Sequence, residues 1–210
     1  MRIYDFGNPD ASVVLIESIH VPDGMGQEAS LIRELAGVDF HLLAVQVDWF
    51  RDLSPWPAPA LSRDIAFGDG AQKTLEEILK LTGNPGKQYI LGGYSMGGLF
   101  ALWAACRTNV FPVVAAASPS VWFPGFTEYM FANGIQTGRV YLSLGIREEK
   151  ARNPVLATVG ERIREIHARL EAQAIPCCLE WNEGNHFRDP ELRMARGFAW
   201  ALKGTCHPSL

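Results

Sequence analysis

Six short apolar runs recur along the chain, at Val13–Glu17, Phe40–Val47, Tyr89–Gly93, Val113–Ala117, Val140–Leu144 and Cys177–Trp181. They are rich in Val, Ile and Leu and lack clean polar alternation, which is how strands covered on both faces of a parallel sheet read. Segments with helical spacing fall between them: Gln27–Ala36, Ala71–Leu81, Gly97–Cys106, Asn153–Ala174 and Glu191–Leu202. In Asn153–Ala174 the residues Val155, Val159, Ile163, Ile166 and Leu170 form one stripe. Gly97–Cys106 is apolar all round and predicts a deeply buried helix. This alternation predicts an α/β fold of three layers, with a mostly parallel sheet of six to seven strands and helices on both faces. Asp48–Asp69 breaks the rhythm: Pro55, Pro57 and Pro59 stand among aromatics with no helical or strand period, the mark of a long functional loop.

A length of 210 residues predicts a single domain, 1–210. Hydrophobic residues make up 48% and charged residues 20%, enough apolar material for a sizeable core. The net charge of −4 comes without a basic stripe, which argues against a nucleic-acid partner. Charge appears at once after Met1, and the longest apolar run, Val110–Ala117, is interrupted by Pro112, so neither a signal peptide nor a membrane span is expected and the cytoplasm is the expected compartment. The cysteines Cys106, Cys177, Cys178 and Cys206 form no C-x-x-C pair and read as small buried hydrophobes.

The candidate chemistry starts at Tyr89-Ile-Leu-Gly-Gly-Tyr-Ser-Met-Gly-Gly-Leu99. G-x-S-x-G is met as Gly93-Tyr94-Ser95-Met96-Gly97, between an apolar strand and a buried helix, the context of a nucleophile elbow. Such a turn brings the flanking residues so close that side chains would clash, hence the glycines. It lifts the Ser95 hydroxyl off the sheet and aims helix N-terminal N–H groups beside it, Met96 N–H among them, as an oxyanion hole. The rival uses of a glycine-rich turn fail: G-x-G-x-x-G is absent, and no Gly-Lys-Ser/Thr follows.

A serine needs a base. Of the histidines after Ser95, His167 lies within a helical stripe and His207 in the tail. His186 falls in the Gly/Asn loop Asn182-Glu-Gly-Asn-His-Phe187, after the last strand, where this order of elements requires the base. His20 follows the first apolar strand and is a candidate pocket residue. The acid is expected after Val140–Leu144: Glu148 is the candidate, Glu149 its neighbour, and a Ser–His dyad beside a plain charge run stays open.

Taken together, Gly93-Tyr-Ser-Met-Gly-Gly98, Ser118-Pro-Ser-Val-Trp-Phe123, Leu144-Gly-Ile-Arg-Glu148 and Gly184-Asn-His-Phe187, in that order, resemble the α/β-hydrolase superfamily. Within it, the resemblance is to the esterase family that includes S-formylglutathione hydrolases, siderophore esterases, feruloyl esterases and mycolyltransferases. It covers roughly Tyr89 to Pro190. It implies an α/β-hydrolase-like fold and hydrolysis of a carboxylic ester through an acyl-enzyme, with Ser95, Glu148 and His186 as the triad. Alternatives with the same residues are an acyltransferase or thioesterase, and a non-catalytic binding protein on a hydrolase scaffold. The chain departs from the family where a His-Gly or Gly-Gly turn commonly supplies the second oxyanion donor. Here the stretch reads Glu17-Ser-Ile-His-Val-Pro-Asp-Gly24, leaving a backbone N–H between Ser18 and His20, with Ile19 central. The length leaves no room for a large cap domain.

Two aromatic groups, Trp49, Phe50, Trp56 and Phe67 in one and Trp122, Phe123, Phe126, Tyr129 and Phe131 in the other, either wall an apolar pocket or seal the sheet edge. Trp56 and Trp122, with His20, are the candidate substrate-binding residues. A metal site is not expected, since H-x-x-x-H and carboxylate-rich loops are absent, and the chemistry requires no cofactor. The expected partner is a small-molecule ester.

Overall fold

The computed structural model describes residues 1–59, 61 and 66–203. Seven strands form one sheet: β1 (Arg2–Gly7), β2 (Val13–Ile19), β3 (His41–Gln46), β4 (Gln88–Tyr94), β5 (Val113–Ala117), β6 (Arg139–Gly145) and β7 (Cys177–Asn182). Their spatial order is β1-β3-β2-β4-β5-β6-β7. All neighbours run parallel except β1, which pairs antiparallel with β3. The six runs legible in the sequence are β2 to β7. β1 is additional: it is a short edge strand whose apolar residues Ile3, Tyr4 and Phe6 are only partly buried.

Among the described residues, eight α-helices accompany the strands: α1 (Met25–Ala36), α2 (Trp49–Asp52), α3 (Ala71–Leu79), α4 (Met96–Ala105), α5 (Phe126–Asn133), α6 (Pro154–Ala157), α7 (Val159–Ala172) and α8 (Pro190–Lys203). Alternation along each strand feeds two cores. Leu15, Leu42, Ala115 and Tyr141 face α1 and α8, whereas Ile16, Leu91, Val114 and Leu142 face α3, α4 and α7. Every residue of α4 is buried, because it lies against the middle of the sheet with other helices over it.

The Asn153–Ala174 stripe is interrupted at Thr158, whose N–H and hydroxyl both donate to the Val155 carbonyl in a tightened turn. Val159, Ile163, Ile166 and Leu170 are buried as the spacing requires, but Val155 is left 43% exposed on the detached α6. The Asp48–Asp69 stretch opens on the short helix α2, capped by Asp48, whose side chain accepts from the Arg51 N–H. Cys106 and Cys177 carry free thiols, but Cys178 is disulfide-bonded, contrary to the reading of plain buried hydrophobes. Cys206 and His207 lie outside the described residues. Among the described residues, no helix is long and apolar enough to cross a membrane.

The strand order reverses beside β2: the chain passes to β3 on one side, then returns to β4 on the other. In open parallel sheets a crevice forms at the carboxyl ends of the strands at such a switch. The turn after β4, carrying Ser95, sits there.

Candidate active site

Ser95 joins β4 to α4 at φ 55°, a backbone conformation that a side-chain-bearing residue adopts only under constraint. The neighbouring glycines explain how the turn closes. A Cβ on Gly93 would lie 2.4 Å from the Gly97 backbone, and one on Gly97 would lie 2.7 Å from the Ser18 carbonyl oxygen. Met96 opens α4, so its N–H has no acceptor within the helix. The end of β2, Ser18 and Ile19, runs alongside it.

His186 arrives on the loop between β7 and α8. Its Nε2 is 3.0 Å from Ser95 Oγ and its Nδ1 is 2.7 Å from Glu148 Oε2. Glu148 follows β6, and its buried Oε1 accepts from the Gly145 N–H and the Ser118 hydroxyl, each at 2.8 Å, and from Arg193 Nη1 at 2.8 Å. Burial pushes the Glu148 carboxyl up. The hydrogen bond and charge of His186, helped by the Gly145 N–H and the Ser118 hydroxyl, outweigh burial and hold it below the usual carboxylate range. An ionised Glu148 fixes the tautomer with hydrogen on Nδ1, leaving Nε2 to accept from the serine hydroxyl. The neighbouring Glu149 points elsewhere, pairing with Arg164 at 2.8 Å.

Three further residues in this network escaped the sequence reading. Ser120 Oγ is 3.2 Å from Ser95 Oγ, and its N–H donates to the Ser95 carbonyl. Ser118, at φ 43°, supports Glu148. Both belong to the Ser-Pro-Ser stretch, so a signal existed without a role attached. Arg193, 2% exposed on α8, also lies among these groups. Its only signal was a charge on the stripe shared with Gly197, Trp200 and Ala201.

Ser95, Glu148 and His186 open into a cavity of about 700 Å3. Trp49, Phe50, Trp122, Leu156 and Val159 make its walls largely apolar, with Arg147 and Lys150 adding cations. Of the three residues expected at a substrate pocket, Trp122 lines this cavity. His20 and Trp56 do not line this cavity. His20 is exposed and lies beside Trp49, with ring centroids 5.7 Å apart and ring planes tilted by 47°. Trp56 donates its indole N–H to the Pro124 carbonyl and packs against Phe123 and Tyr129, which ties two loops together. The aromatics divide accordingly, some walling the cavity and others sealing its flank. Among the described residues, no cluster of His, Cys, Asp and Glu could hold a metal ion.

No protein-family model matches the sequence, and no curated protein matches it. Solved structures do resemble it. An IroE-like serine hydrolase from Shewanella oneidensis superposes with a TM-score of 0.76 at 16% identity, over 94% of this chain and 72% of that one. Siderophore hydrolase EstA from Aspergillus nidulans gives 0.65 at 19% identity, over 93% and 84%. A monoacylglycerol lipase from Paleococcus ferrophilus gives 0.58 at 16% identity, over 98% and 100%. At these identities the likeness is one of fold: the chain has the α/β-hydrolase fold.

Proposed function

We propose that the protein is a serine esterase that cleaves a carboxylic ester through an acyl-enzyme. The observation that carries this reading is the unbroken hydrogen-bond chain from Ser95 through His186 to Glu148, opening into an apolar cavity. His186 Nε2 takes the Ser95 proton as Oγ attacks the ester carbonyl carbon. The Met96 N–H and an N–H of the Ser18–His20 segment directed toward β4 hold the oxyanion. Ile19, the expected donor, turns its backbone polar groups to β3, its carbonyl accepting from the Val47 N–H. The tetrahedral intermediate collapses, the alcohol leaves with the proton from His186, and Ser95 keeps the acyl group. Water then repeats the sequence, His186 removing its proton, and the acid departs. Glu148 keeps the imidazole oriented and stabilises the imidazolium formed at each step. The largely apolar walls suit an alkyl or aryl group next to the ester.

The test is mass spectrometry after treatment with a fluorophosphonate. A single adduct on Ser95 that is lost in His186→Ala supports an activated serine, and wild-type turnover of aryl esters then completes the case. A folded wild-type protein that takes up no probe and cleaves no ester overturns it.

A further inference from the structure

We propose that Arg193 is a positioning residue that holds the His186 loop against Glu148. This rests on the esterase reading above. The guanidinium is buried at the back of the site and does not line the cavity. Its Nη1 donates to Glu148 Oε1 at 2.8 Å, to the Ser118 hydroxyl at 3.0 Å and to the Tyr94 hydroxyl at 3.3 Å. Its Nη2 donates to the carbonyls of Glu183 and Asn185, both at 2.9 Å. One rigid planar group thus grips the acid on one side and the two peptide carbonyls leading into His186 on the other. Tyr94 closes the loop, donating its hydroxyl to the His186 carbonyl at 2.7 Å. Burial pushes the Tyr94 phenol up to about 12, against the opposing charge of Arg193, so it remains a donor.

The geometry has an electrostatic consequence. Burying an arginine is costly unless it is paired and all its donors are used, and here Glu148 provides the countercharge. The same carboxylate also faces His186, so Glu148 joins the guanidinium behind it to the imidazole in front. The other titratable groups facing this pair are Tyr94 on β4 and, beside the cavity, Arg147 and Lys150 on the turn after β6. Arg188 and Asp189 pair with each other at the surface.

Two variants separate positioning from packing. Arg193→Met removes charge and fork; Arg193→Lys keeps the charge but cannot span carboxylate and carbonyls together. Active sites are first counted by fluorophosphonate labelling, and kcat and KM are then measured per labelled site on one aryl ester. In Arg193→Met, kcat per site is expected to fall about 100-fold with KM nearly unchanged. In Arg193→Lys, kcat per site should fall about tenfold, again with KM nearly unchanged. Wild-type kcat per site in Arg193→Met overturns the proposal, since a purely structural arginine changes only the number of labelled sites. If Arg193→Met is insoluble, Arg193→Lys decides: wild-type kcat per labelled site overturns the proposal. Wild-type protein that neither labels nor turns over strikes at the esterase reading instead.

Discussion

Gly97 and Ser18 meet so closely that a Cβ on the glycine would lie 2.7 Å from the Ser18 carbonyl oxygen. The serine turn and the end of β2 are therefore set against each other backbone to backbone. The N–H groups assigned to the oxyanion come one from each side of this contact. Gly97→Ala must displace the β2 end by several tenths of an ångström. A roughly 10- to 100-fold fall in kcat, with KM changed much less, is expected in steady-state kinetics on a folded variant. Unchanged kcat would detach the Ser18–His20 segment from the oxyanion.

Ser95 is held at φ 55°. Glycine accepts that conformation without a Cβ penalty, so Ser95→Gly is expected to raise stability by about 1 kcal/mol. It should also abolish turnover, a loss on the order of 10⁶-fold in kcat. Paired thermal melts and ester assays check both halves, and a less stable variant would contradict the claim of backbone strain.

The two adjacent glutamates separate cleanly. Glu148→Gln leaves the shape but offers His186 an uncharged partner, and kcat should fall by about 10³- to 10⁴-fold. Glu149 is engaged by Arg164 away from the site. Glu149→Gln should keep kcat within about twofold, since a surface pair of this kind is worth roughly 0–1 kcal/mol. Equal losses in both variants would remove Glu148 from the role proposed for it.

Glu17 and Glu28 form a buried acid pair between β2 and α1. Burial pushes the Glu17 carboxyl up to about 7; a hydrogen bond with Glu28 opposes the rise and the charge of Glu191 adds to it. Burial pushes Glu28 well up, reinforced by the charge of Glu17. Because the folded state holds these protons more tightly than the unfolded chain, stability falls as pH rises from about 4.5 to 7. Glu148, held low, acts in the opposite sense and only below about 4.5, as its native interactions are lost on protonation. Thermal melts should therefore show a higher Tm at pH 5.5 than at pH 8, and Glu17→Gln should flatten that slope. The same slope in wild type and Glu17→Gln would show that the pair does not control it.

Trp122 and Trp56 should respond differently. Trp122→Ala removes a cavity wall, and KM for an aryl ester is expected to rise about tenfold or more. Trp56→Ala removes an indole hydrogen bond and aromatic packing between two loops, so it should lower Tm with little change in KM. The reverse pattern would mean that the cavity as described is not where substrate binds.

The sequence alone carried the sheet and the serine turn, because both are local. Runs such as Val113–Ala117, buried on both faces, announce themselves by composition, and Gly93 is required by the nearby Gly97 backbone; Gly97 is required by Ser18, a distant contact that the G-x-S-x-G pattern marks without explaining. It missed β1, a short, half-exposed edge strand placed by antiparallel pairing with β3, and it missed the break at Thr158, where a continuous stripe gives no warning. It left Glu148 and Glu149 unresolved, since adjacent like charges are equivalent until the turn after β6 directs one to His186 and the other to Arg164. It assigned Trp56 to the pocket because an aromatic residue in a loop looks alike whether it walls a cavity or closes a seam. Arg193 illustrates the same limit over a longer distance. A charge on an apolar helical stripe has no meaning until packing of α8 against the sheet brings it to a carboxylate 45 residues away in sequence. Periodicity encodes which faces are buried, but which buried groups meet is decided by long-range packing, where no local pattern reaches.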